Sequence, residues 1–391
     1  MSEYSWNFWF TLPIYPYGQR RTLRREVVRD RLWTFDQLQG IFLCGGSYPH
    51  DGGETGCGGG LLVYAPIAPT GECLRLLHEL VADHGPVRYI IHPTVSGLEH
   101  KVFVGPFARA CPQAQVYIAP QQWSFPLNLP LSWLGLPGDR TRVIPDEPSQ
   151  LPFADQCALE VLGPINLGTG WFGEVALYDR PSRSLLLTDS LIAIPEDPPA
   201  IVQLDSFPLL FHAKDSPFDR VEDTPENRRK GWKRICLFAS YFRPSVLETA
   251  PWGQVIRDAF KVGDRSRKNY FGLYPFQWTD DWQRSFEALR GNGRPLVAPV
   301  LQQLILNRAP QETLDWVERV SQWHCCDRLI SAHFQSPISI TKEQFCQAFA
   351  FLKSQDLWTP APLPNIDLQL LAEIDQVLCD RGIVPPSKLS R

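Results

Sequence analysis

Between residues 61 and 118, short apolar runs alternate with stretches of helical spacing, and this narrows the fold more than any other feature of the chain. "LLVYAP" reads as a buried strand. "GECLRLLHELVADHG" sets Leu74, Leu77 and Val81 at helical spacing ahead of a glycine stop. "VRYII" is a second strand, "KVFVGPFARAC" a short helix and "AQVYIAP" a third strand. Strand, helix, strand, helix, strand is the signature of an α/β layer with its strands buried under helices. Upstream, "LWTFDQLQGIFLCGG" and "LLVYAP" flank the glycine-rich "DGGETGCGGG" and read as a hairpin with a long loop. That loop lacks the GxxxxGK[ST] order of a phosphate cradle.

The pattern then changes. "TRVIPD", "CALEVLGP", "GEVALYD" and "SLLLTDS" follow one another with only turns between them, as in an antiparallel sheet. From 193 to about 325 the segments are helix-like, several with Asp, Thr or Pro near their starts. One more strand, "DRLISAHF", and a helix, "TKEQFCQAFAFLKSQ", precede a tail from 356 that ends in a short helix. No internal repeat is present.

Composition excludes several classes. With 44% apolar and 20% charged residues, the 391-residue chain is that of an ordinary globular protein. A net charge of -4 and the lack of an RNP-type motif or basic-aromatic stripe give no case for nucleic acid. No segment approaches the ~20 apolar residues of a membrane span. The opening "MSEYSWNFWF" has no basic n-region and reads as a strand and turn rather than a secretion signal. Ten cysteines without CxxC spacing fit reduced thiols in the cytoplasm, with Cys325-Cys326 as buried thiols. Two basic runs, Arg20 to Arg31 and Arg228 to Arg234, offer either a solvated face or contact with an anionic membrane surface or acidic partner.

The stretch "RYIIHPTVSGLEHKVF" carries chemistry: it runs from a strand into a loop ending in Glu99-His100, with His92 at the strand end. Taken alone, the pair caps a helix start, where the dipole favours the acid, and His333 is a core histidine. The order of elements, however, resembles the metallo-β-lactamase superfamily, an αββα sandwich. Glu99-His100 resembles the end of that family's HxHxDH loop. The hairpin "GEVALYDRPSRSLLLTDSL" resembles the strand pair ending in a metal-bridging Asp, here Asp189. "DRLISAHFQSP" resembles the last ligand strand, with His333 at its tip.

This resemblance implies a single sandwich domain over 1–391, with its core at 36–192 and 326–355, a mostly helical insertion at 193–325 and a tail at 356–391. It also implies half of a dinuclear centre. Val95 and Gly97 stand where the family loop has its first two histidines, and Trp171, in "GWFG", stands for the third. The acid, histidine, bridging Asp and last histidine all have counterparts: Glu99, His100, Asp189 and His333. Two carboxylates and two imidazoles suit one Zn, Fe or Mn ion. The likeness is to a branch described as a domain of unknown function, found in cyanobacteria and plastids, and it brings no substrate with it.

Two functions follow. One is a metal-dependent hydrolase of an ester, thioester, lactone or phosphoester, with Asp189 orienting water or taking its proton; His92 reads first as a packed strand-end histidine, with a proton carrier or substitute ligand as the alternative. The other is a non-catalytic binding or assembly protein that retains the fold. An iron-dependent redox activity is a third, less supported option. The partner is a small-molecule substrate or a protein. His212 reads as a residue of an ordinary surface loop in the insertion.

Overall fold

The computed structural model describes residues 3, 20–40, 47–56, 59–124, 128–323, 327–353 and 363–389, with the side chains of 39, 40, 47–56, 98 and 99 outside the description. The N-terminal aromatic stretch and the Cys325-Cys326 pair lie outside the described residues.

The first half of the chain gives β1 (Thr22–Val28), β2 (Leu32–Gly40), β3 (Ser47–Gly56), β4 (Leu61–Tyr64), α1 (Gly71–His84), β5 (Val87–His92), α2 (Leu98–Ala110), β6 (Gln115–Ile118) and β7 (Thr141–Val143). Their strands form one sheet in sequence order, antiparallel from β1 to β4 and parallel from β4 to β7. Three antiparallel strands follow: β8 (Cys157–Asn166), β9 (Trp171–Asp179) and β10 (Ser184–Leu187). Next come α3 (Ala200–Gln203), α4 (Phe207–Ala213), α5 (Pro225–Tyr241), β11 (Leu247–Thr249), α6 (Trp252–Ala259), β12 (Phe276–Trp278), α7 (Trp282–Arg290), α8 (Pro299–Leu304) and α9 (Pro310–Ser321). The chain then returns as β13 (Arg328–Ser331), parallel to β10, followed by β14 (Ile338–Ser339), α10 (Lys342–Ala348) and α11 (Asn365–Asp380). The second sheet has the order β14-β13-β10-β9-β8.

Side-chain alternation shows why these sheets stack. Successive strand residues point to opposite faces. In β4, Leu61 and Val63 pack under α1 and α2 with Cys73, Leu77, Phe103 and Phe107, whereas Leu62 and Tyr64 turn to the other face. There they meet Val175 and Leu177 of β9, Leu186 of β10 and Ile330 of β13. The opposite parity, Ala176, Leu185, Leu187 and Leu329, packs with Trp316 and Val320 of α9 and with Phe345 and Phe349 beyond. The layers are helix, sheet, sheet, helix: the αββα sandwich of the metallo-β-lactamase type.

Three expectations change. "DGGETG" is not a loop but most of β3, laddered to both neighbours. Glycine is a poor strand former but still supplies backbone donors and acceptors to a ladder. "TRV" belongs to the first sheet, parallel to β6, and not to the antiparallel group. A three-residue strand between turns carries no sign of its pairing partner. His212 is no surface residue: it is fully buried in α4, 5.1 Å from the Phe276 ring.

The segment between β10 and β13 is mostly helical, with β11 and β12 forming a small antiparallel pair. It packs beside the ends of both flanking strands. The Trp232 ring of α5 lies 6.1 Å from Phe334, and its indole N–H donates to the Pro195 carbonyl at 3.0 Å. Ile192 exchanges two backbone hydrogen bonds with Leu296, at 2.9 and 2.8 Å.

Candidate metal centre

Three chain segments deliver one cluster. β10 and β13 run parallel in a register that pairs Leu187 with Ser331. Two residues further along each strand stand Asp189 and His333, and His333 Nε2 lies 2.8 Å from Asp189 Oδ1. The third member comes from the first sheet. After β5 the chain crosses to β9 and is zipped onto it: Val95 N donates to the Gly173 carbonyl at 3.0 Å, and Val175 N to that of Pro93 at 2.8 Å. This clamp sets the start of α2, whose His100 places Nε2 3.3 Å from the same Asp189 oxygen. One ligand atom from each of His100, Asp189 and His333 lies within 4.8 Å of the others. His100 is buried, while Asp189 and His333 keep about a fifth of their side-chain surface open to solvent. Glu99, the remaining predicted ligand, sits beside His100 in the first turn of α2, and its side chain lies outside the described residues.

Burial opposes the Asp189 charge, but His100 and His333 on either side overcome it and hold its carboxyl below the ordinary carboxylate range. His92 is not within the cluster. It is fully buried at the end of β5, and neither ring nitrogen makes a hydrogen bond among the described residues. Burial, then the charges of Lys101 and His100, push its imidazole well below the ordinary value, so it is neutral. Val95 is fully buried in the apolar layer between the sheets, and Gly97 is the N-cap of α2. Trp171 opens β9, half-buried against that same layer.

Two further residues, not singled out from the sequence, shape the site. Glu174, fully buried on β9, accepts from the backbone N–H of Thr188, from the Thr188 hydroxyl at 2.8 Å, and from the N–H groups of Asp189 at 3.1 Å and Ser190 at 2.9 Å. It fixes the backbone that aims Asp189. Burial, then repulsion from Asp189, push its carboxyl above the ordinary value. Lys101 is likewise buried, and its ammonium donates to the carbonyls of Val95 at 2.8 Å and Trp123 at 2.6 Å and to Ser124 Oγ at 3.3 Å. Glu174 is a charged residue within the apolar run "WFGEVALYD", which is the one signal the sequence holds for it, whereas Lys101 follows Glu99-His100 and carries none.

The donor set fits a metal. Zinc binds imidazole nitrogen and carboxylate oxygen at ~2.0–2.2 Å in a tetrahedral shell, which sets neighbouring donors roughly 3.3 Å apart. His100 Nε2 stands at that spacing from the Asp189 oxygen, 3.3 Å, while His333 Nε2 stands closer, at the hydrogen-bond distance of 2.8 Å.

Sandwich and cluster together define a protein of the metallo-β-lactamase fold with a three-residue His/Asp cluster that could hold a metal. The chain belongs to the family described as a domain of unknown function (DUF4336), whose model matches residues 29–351. No curated protein matches it. Among solved structures it is similar to a metallo-β-lactamase from Pontibacter korlensis, at 11% identity over 86% of this chain and 100% of that one, TM-score 0.38. It is also similar to one from Hirschia baltica, at 9% identity over 86% and 99%, TM-score 0.37. A third is FIM-1 from Pseudomonas aeruginosa in its mono-zinc form, at 11% identity over 85% and 94%, TM-score 0.36.

Proposed function

We propose that the protein is a metal-dependent hydrolase with a mononuclear centre on His100, Asp189 and His333, Glu99 completing the set, acting on an ester, thioester, lactone or phosphoester. The observation that carries this reading is the convergence of two imidazoles and a carboxylate from α2 and from the ends of β10 and β13. A Zn, Fe or Mn ion held there would supply Lewis acidity toward a carbonyl or phosphoryl oxygen and make water more acidic. Asp189 stays ionised beside the two histidines, so it can orient water by accepting a hydrogen bond from it. Glu174 holds Asp189 in place through the 188–190 backbone.

A non-catalytic binding role is the second reading. It is favoured by Val95, Gly97 and Trp171, which offer no imidazole at the positions that resemble the family's first ion site. The two readings separate in one experiment. Purified protein is assayed for bound metal by elemental analysis and for hydrolysis of chromogenic ester, thioester, lactone and phosphodiester substrates, beside His333→Ala and Asp189→Asn. The hydrolase reading expects one ion and an activity, both lost in the variants. An ion without turnover on any class leaves the binding reading standing, and protein that retains no ion after reconstitution overturns the metal centre.

A further inference from the structure

Residues 252–271 present an apolar stripe inside a basic collar. On α6 the inward residues Val255 and Ala259 are 2% and 8% exposed. Along the flank of that inner face, Trp252, Ile256 and Phe260 recur every four residues and are 67%, 49% and 72% exposed. The next turn, 267–272, packs on the C-terminal end of α6, with Gly272 against the backbone of Ala259. It turns Phe271 outward to 50% exposure, with Tyr270 and Phe271 at φ of 47° and 58°. Bulky side chains avoid that backbone region, so the turn holds an aromatic residue in water at a cost in strain.

The surroundings of the stripe have one dominant sign. Arg257, Lys261, Arg265, Arg267 and Lys268 are all exposed. Within 252–272 these five basic residues face two acids, Asp258 and Asp264, with Asp258 3.8 Å from Lys261 and Asp205 of the preceding segment 3.7 Å from Lys268. The two basic runs noted in the sequence lie on other elements, β1 with its turn and α5. Arg21, Arg24, Arg25 and Arg31 pair with Glu72, Glu79, Asp36 and Asp179. Arg228, Arg229 and Lys230 pair with Asp223, Asp197 and Asp215.

We infer that this face docks on the surface of an anionic lipid bilayer, with Trp252, Ile256, Phe260 and Phe271 entering the boundary between headgroups and acyl chains. The basic collar lies against the lipid phosphates. Aromatic and aliphatic side chains ringed by Lys and Arg are the chemistry of an interfacial element, in which apolar insertion and attraction to anionic lipid add together. A second copy of the chain fits less well, because two-fold self-association through this patch brings like-charged collars together. The eight residues of α6 lie in the interface rather than span it.

The test is flotation of the full chain with vesicles of phosphatidylcholine alone and with vesicles of equal parts phosphatidylcholine and phosphatidylglycerol. Wild type is expected to float with the mixed vesicles, to stay behind with phosphatidylcholine, and to be released by high salt. Trp252→Ser with Phe260→Ser, and separately Arg265→Glu with Lys268→Glu, should each lower binding at least tenfold. Trp133→Ser, at an exposed tryptophan elsewhere, should leave binding unchanged. Circular dichroism verifies that each variant is folded. Absence of wild-type flotation on mixed vesicles overturns the inference, as does wild-type binding by both double variants. A concentration-dependent dimer that Trp252→Ser with Phe260→Ser abolishes, without vesicle binding by wild type, assigns the patch to a second copy and overturns it too.

Discussion

Glu174→Gln isolates the positioning of Asp189. The substitution keeps the shape of the side chain but leaves one acceptor where there were two. Oε1 serves Thr188 and the Asp189 N–H, and Oε2 serves the Ser190 N–H at 2.9 Å. If the glutamine carbonyl keeps the Thr188 side, its NH2 meets the Ser190 N–H donor to donor. One bond to a charged acceptor, worth about 1.5–3 kcal/mol, is lost, and the others become neutral and weaker. Against this, the substitution removes a buried charge that desolvation and Asp189 already disfavour. The net cost is about 2 kcal/mol, or roughly 2–3 °C in Tm for a chain of this length unfolding as one unit. The decisive readout is zinc affinity by competition with a chromophoric chelator. Partners that orient a ligand typically change it by ~10–100-fold, and a loss in that range is expected. A lower Tm with unchanged zinc affinity would refute the positioning role. Unchanged values of both would refute the network itself.

Elemental analysis should find no more than one equivalent of metal per chain, and two equivalents would contradict the half-site. Trp232→Ala removes a fully buried indole that walls Phe334, next to His333. It should cost about 3–5 kcal/mol by chemical denaturation and weaken metal binding, and intact affinity would show the insertion to be independent of the centre. Gly231→Ala would place a methyl group 1.8 Å from the Leu209 carbonyl oxygen, where α4 crosses α5. Overpacking against backbone has little room to relax, so a loss of about 3 kcal/mol or more is expected, and a wild-type melting curve would mean that the two helices sit further apart.

Much of the sandwich was legible because its signals are local. The spacing of Leu74, Leu77 and Val81 with the glycine stop marks α1, although the inward face centres on Cys73, Leu77 and Leu80. The antiparallel run from β8 to β10 is readable because its turns are short. Pairing between distant segments is not readable in that way. Nothing local tells that "TRV" joins β6, or that β13 lies beside β10 with about 140 residues between them. The nearness of Asp189 and His333 follows from that long-range register and was reachable in sequence only through the family resemblance.

The same limit hid Glu174 and Lys101, whose meaning depends on what each charge touches once the strands have met. Together with Val95 they account for half a site rather than a whole one. A Cβ on Gly173 would come within 2.8 Å of Val95 Cγ2, so the missing side chain at 173 already makes room for valine. An imidazole at 95 is larger than valine, and overpacking a close-packed layer is costly. The Lys101 Nζ donates to the Val95 carbonyl at 2.8 Å, and a lysine carrying its proton there would repel a metal ion at low dielectric. The cluster of His100, Asp189 and His333 is braced by Glu174 through the 188–190 backbone. The centre proposed at these three residues would take a single cation at the 189 end of the site.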